Sequence, residues 1–87
     1  MKKSLYVNSQ LCFGVPNPNK AQAKVIFDWV IANGANGLES WAYGEYWRYF
    51  GVDDEGDTYW SDDLSFYAKN ILTFAEFAEL AGVEVVE

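Results

Sequence analysis

Two aromatic, β-prone runs, Glu45 to Val52 and Thr58 to Ser61, flank the segment Asp53-Asp54-Glu55-Gly56-Asp57. Rings and β-branched side chains suit a pleated, half-buried surface, and Gly56 can take the positive φ that a tight turn demands. A β-hairpin is therefore expected, and it commits this part of the chain to an antiparallel sheet.

Helical signals surround it. Pro16-Asn17-Pro18-Asn19 breaks the preceding chain, and either Asn17 or Asn19 can cap a helix from about Pro18 to Asn33. Val25, Ile26, Trp29 and Val30 lie on one face, Phe27 and Ile31 beside them. Lys20, Lys24 and Asp28 form a polar stripe, with Lys24 able to pair with Asp28. Asn33-Gly34 ends that helix. Later, Thr73-Phe74-Ala75-Glu76 reads as a capping box, with Leu72 and Phe77 as a hydrophobic staple and Gly82 as the stop near Ala81.

The remaining segments are less regular. Leu5-Tyr6-Val7 reads as a short strand, which Gln10 to Val15 continues irregularly. Leu38 to Tyr43 reads as a loop or helical turn, and Val83 to Val86 as an edge strand. The expected fold is α+β: a small antiparallel sheet of three to four strands, one long helix across a face and one short C-terminal helix. At 87 residues this is one domain, 1–87.

The inventory for catalysis is thin. The chain has no His, so the commonest general base and metal ligand are missing. Its single Cys12 has no cationic neighbour in sequence to activate it, and reads as a small buried apolar residue. No Gly-rich phosphate cradle occurs. Asp53, Glu55 and Asp57 alternate like the start of a calcium loop. The loop's glycine would then fall at Thr58 and its bidentate Glu at Leu64, so the pattern fails twice. The expectation is a non-enzyme with no cofactor and no metal. Lys2 and Lys3 are followed by no apolar stretch, and one free thiol suits a reducing compartment, so a cytoplasmic location is expected.

Charge and rings concentrate in one place. Thirteen acids against six bases give a net charge of −7. Eight of those acids and eight of the sixteen aromatic residues lie between Glu39 and Asp63, with Arg48 the one base there. Alternation places Tyr46, Arg48, Phe50 and Val52 on one strand face and Glu45, Trp47, Tyr49 and Gly51 on the other. Both faces hold large rings, while a helix backs only one, so part of the aromatic surface should stay open. Open rings rimmed by acids describe a docking site for a basic protein. The candidate site residues are Glu45, Tyr46, Trp47, Tyr49, Asp53, Asp54, Glu55, Asp57, Tyr59, Asp62 and Asp63. Carboxylates on alternate strand residues lie about 7 Å apart, close to the phosphate spacing along a nucleic-acid strand. An exposed turn contributes little to stability, so reversing Asp53, Asp54, Glu55 and Asp57 together should spare the fold.

The stretch Tyr46 to Asp57, with Trp60-Ser61-Asp62-Asp63 and Leu72-Thr73-Phe74-Ala75-Glu76-Phe77, resembles the small acidic accessory proteins of tailed bacteriophages. The resemblance spans roughly the C-terminal half, and it carries over no single family's binding residues. It implies a phage or prophage origin and a role inside a bacterial host, either anti-defence, such as anti-CRISPR or anti-restriction inhibition, or the redirection of host machinery. The leading expectation is thus an inhibitor that covers a basic, nucleic-acid-binding surface of a host protein by partial nucleic-acid mimicry. It would touch neither nucleic acid nor membrane itself. An immunity protein or antitoxin against a basic toxin would use the same patch. A structural phage protein, homodimeric through its open rings, is the third reading.

Overall fold

The computed structural model describes residues 3–37, 49–61 and 70–86. In chain order the elements are β1 (Tyr6–Val7), β2 (Gln10–Leu11), β3 (Phe13–Pro16), α1 (Lys20–Ala32), β4 (Tyr49–Val52), β5 (Thr58–Ser61) and α2 (Phe74–Ala81). The fold is α+β: two helices with a two-stranded and a three-stranded antiparallel sheet.

The expected hairpin is β4 and β5, paired with Phe50 opposite Trp60 and Val52 opposite Thr58. Residues 45–48, expected to begin the first of these strands, lie outside the described residues, as does 38–43. β3 pairs with the other side of β4, giving the order β3-β4-β5. Both flanks of this sheet carry a short parallel bridge. Ile71 bridges to Gly14, where the Leu72 N–H donates to the Gly14 carbonyl at 2.9 Å. Asn36 bridges to Asp57 on the β5 side.

The N-terminal segment differs from expectation. Gln10 does not prolong the first strand but begins a return strand, with Tyr6 opposite Leu11 and Val7 opposite Gln10. The two-residue loop is Asn8-Ser9, both left-handed at φ 52° and 68°. That backbone matches the right-handed twist of flanking strands, which is why two-residue hairpins use it. Serine rarely adopts it, so the sequence carries only half of the usual turn signal.

Helix α1 starts at Lys20, with Asn19 as the cap in place of the Asn17-capped alternative. Asn19 Oδ1 accepts the Gln22 N–H at 2.8 Å, and Gln22 Oε1 accepts the Asn19 N–H at 3.0 Å. This reciprocal pair satisfies two backbone donors that the first turn would otherwise leave open. Asn17 sits at φ 48°, a conformation that takes it out of any helical start. Gly34, just past the end, takes φ 99° as expected. In α2 the Thr73 hydroxyl accepts the Glu76 N–H at 3.1 Å, the Glu76 carboxylate accepts the Thr73 N–H at 2.9 Å, and Gly82 is left-handed.

The C-terminal expectation fails in one respect: residues 83–86 form no strand. They run against α1, where Gln22 Nε2 donates to the Val86 carbonyl at 3.0 Å, and Val83 and Val86 pack on the core. Their apolar residues are thus used by packing, without a strand edge to pair with.

Phe13, Val15, Phe50 and Val52 share one sheet face and are fully or almost fully buried. α1 covers them with Ala23, Ile26 and Val30, and α2 with Phe74, Phe77 and Ala78. Phe77 joins the layers: it stacks on Phe13 at 5.3 Å and meets Trp29 edge-on at 5.7 Å. Burying each such ring stabilises the fold by about 1.5–3 kcal/mol. β3 and β4 approach closely where Gly14 faces Gly51. A Cβ at Gly51 would lie 2.0 Å from the Phe13 carbonyl oxygen, so this crossing requires glycine.

Candidate protein-binding surface on the acidic hairpin

The turn between β4 and β5 is built by one of its own acids. The Asp53 carbonyl accepts the Gly56 N–H at 3.2 Å, and the Asp53 N–H donates to the Asp57 carbonyl at 3.0 Å. Gly56 takes φ 84°. This is a three-residue loop of Asp54, Glu55 and Gly56 closed by a left-handed glycine. The Asp53 carboxylate folds inward and accepts the N–H groups of Glu55 at 2.9 Å and Asp57 at 3.0 Å. Asp53 is accordingly only 7% exposed.

Asp57 is also engaged. Asn36 Nδ2 donates to Asp57 Oδ1 at 2.8 Å, while the Asn36 N–H donates to the Gly56 carbonyl at 2.9 Å. The Asn36 carbonyl then accepts both the backbone N–H and the hydroxyl of Thr58, each at 2.9 Å. Thr58 is completely buried. The segment after α1 therefore clips the outer edge of the hairpin by three backbone-directed bonds and one side-chain pair.

Asp54 and Glu55 remain, exposed side by side at the apex. Among the described residues neither makes a salt bridge or a side-chain hydrogen bond. The sequence set thus divides by geometry: Asp53 and Asp57 shape the turn, and Asp54 and Glu55 present charge. The expectation that all four could be reversed without harm to the fold is corrected at Asp53, whose carboxylate is buried on two backbone donors. A lysine there would leave those donors unmet and bury an ammonium.

Of the rings, Phe50 is in the core, whereas Tyr49 and Tyr59 are half-buried on the opposite sheet face. Trp60, not expected at the site from the sequence, is 47% exposed on β5. It shares the face of Phe50 by register but stands on the outer strand of the three. Its alternation within β5 points to a core position, yet it is open where Thr58, on the same strand and face, is completely buried. Tyr6, on β1, is 49% exposed and was likewise not a sequence candidate. Glu45, Tyr46, Trp47, Asp62 and Asp63 lie outside the described residues.

Cys12 adjoins the hairpin base and is half-buried. Burial raises its thiol pKa, and the charges of Asp54 and Asp53 raise it further. The thiol is thereby kept protonated, the reverse of an activated nucleophile. No helix among the described residues is long and apolar enough to cross a membrane.

No family model, curated protein or solved structure matches the chain.

Proposed function

We propose that this protein is a binding inhibitor that seats the tip of its β4–β5 hairpin on a basic, nucleic-acid-binding surface of another protein. The resemblance to phage accessory proteins makes a host defence protein the expected target. The observation that carries the reading is the division of labour at the tip. Asp53 spends its carboxylate fixing the turn, so Asp54 and Glu55 are held outward on a rigid support with Trp60 open on the same hairpin. Preorganised charge and an exposed indole on one hairpin are a low-entropy way to grip a cationic surface. Two presented carboxylates would supply the negative charge that such a surface otherwise takes from a phosphate backbone.

The test is affinity capture from bacterial lysate with the wild-type chain and with Asp54→Lys/Glu55→Lys, followed by competition between the captured protein's nucleic acid and this chain. The reading expects a basic nucleic-acid-binding protein that the double variant loses and that nucleic acid displaces. Close interfacial charge pairs contribute about 1.5 kcal/mol or more, so affinity should fall at least about tenfold. Raising salt toward 1 M, where the screening length drops to about 3 Å, should weaken capture as well. Equal capture by the double variant would refute the proposal.

A further inference from the structure

The chain holds two Asn-Gly pairs close together, Asn33-Gly34 and Asn36-Gly37. Such pairs can lose ammonia spontaneously, because a glycine nitrogen meets no Cβ obstruction as it approaches the asparagine side-chain carbonyl. The two pairs are held differently. The Gly34 N–H donates to the Ile31 carbonyl at 3.2 Å and Asn33 Nδ2 donates to the Trp29 carbonyl at 2.8 Å, which ties both reacting groups to the end of α1. All four residues are exposed and Asn36 Nδ2 is bonded too, to Asp57 Oδ1 at 2.8 Å, so the pairs differ at the attacking nitrogen: among the described residues nothing accepts the Gly37 N–H.

We propose that Asn36-Gly37 is a self-modification site whose deamidation releases the clip on β5. The Gly37 backbone nitrogen attacks Asn36 Cγ, forming a new C–N bond and giving up its proton. The Cγ–Nδ2 bond breaks, and Nδ2 leaves with that proton as ammonia. A five-membered imide results, and one water opens it to aspartate or isoaspartate at position 36. No oxidant or cofactor takes part.

The consequence follows from what Asn36 touches. Its Nδ2 is the donor to Asp57 Oδ1 at 2.8 Å, so the product sets a carboxylate against a carboxylate. Like charges at that range repel. Isoaspartate also lengthens the backbone by one atom, so the bonds from Asn36 N–H to Gly56 and from Thr58 to the Asn36 carbonyl no longer fit together. The outer edge of the hairpin loosens, and the chain gains one negative charge.

The test incubates the intact protein at mildly alkaline pH and maps amide-to-acid conversion by peptide mass spectrometry, with hydrogen exchange read at the Thr58 amide. Asn36 should convert well before Asn33, and Thr58 exchange should accelerate in step with it. Gly37→Ala is the control, because its Cβ would stand 3.4 Å from Ile31 Cδ1, an ordinary contact that the fold accommodates. Conversion there should slow by about tenfold or more. Asn36→Asp should show fast Thr58 exchange from the outset. Conversion at Asn33 as fast as at Asn36, no conversion at Asn36, an unchanged rate in Gly37→Ala, or a Thr58 amide that stays protected after conversion each overturns the proposal.

Discussion

The Asp53 carboxylate accepts the Asp57 N–H at 3.0 Å, so the acid that begins the hairpin turn also closes it. With the Glu55 N–H on the same oxygen, one side chain holds the loop that presents Asp54 and Glu55.

Asp53→Ala should therefore destabilise the protein by about 1–3 kcal/mol, since two backbone donors lose their acceptor. Asp54→Ala and Glu55→Ala should each change stability by less than about 0.5 kcal/mol. Urea denaturation of the three variants measures this directly. Equal effects at all three positions would mean that Asp53 has no special place in the turn.

Gly51→Ala should be among the most damaging single substitutions in the sheet. Its Cβ would meet the Phe13 carbonyl oxygen at 2.0 Å and the Gly14 Cα at 3.1 Å, both backbone atoms that cannot swing away. The expected loss is about 3 kcal/mol or more. In a domain of this size each kcal/mol shifts Tm by about 4–8 °C, so a thermal melt resolves it. A shift of only a degree or two would show that the strands can separate there without cost.

Glu76 should make stability depend on acid. Its pKa is held below the usual glutamate value of 4.5, first by the Thr73 backbone N–H and then by the Lys3 ammonium. A depressed folded-state value means the unfolded chain binds the proton more readily. The contribution is present above the ordinary glutamate range and disappears as pH falls from about 4.5 through the lower folded value. Melting curves across that interval should show a decline that is smaller in Glu76→Gln. Identical acid profiles would remove Glu76 from the account.

Cys12 should react slowly with alkylating reagents at mildly alkaline pH compared with a free thiol in a peptide. Burial is the main cause and the Asp54 and Asp53 charges add to it. Only the thiolate is nucleophilic, so Asp54→Asn should quicken alkylation while leaving the fold intact. A native thiol that reacts like the free one would contradict the placement of Cys12 beside the hairpin.

The parts legible in sequence are those fixed by neighbours a few residues apart. Thr73 and Glu76 cap α2 because both partners lie within one turn, and Gly56 and Gly82 take the left-handed backbone their positions ask for. The Asn8-Ser9 hairpin was not legible, because Ser9 gives no sign of its positive φ and the return strand is two residues long. Val83 to Val86 has an apolar pattern that suits a strand, but no sheet edge receives it, and packing on α1 uses the same side chains.

The sequence by itself determined an acidic, aromatic hairpin between two capped helices, because local turn chemistry and hydrophobic spacing leave few other outcomes. Which acids face water was decided in the folded turn, where donors two and four residues on hold the Asp53 carboxylate, and by a tertiary contact that holds Asp57. Asp53 and Asp54 are adjacent and chemically identical, yet one is buried on backbone donors and the other is exposed. Asp57 is restrained by Asn36, a residue 21 positions away that no local pattern connects to it. Trp60 is open although Phe50 opposite it and Thr58 on the same face of β5 are completely buried, so alternation along the strand does not give its exposure.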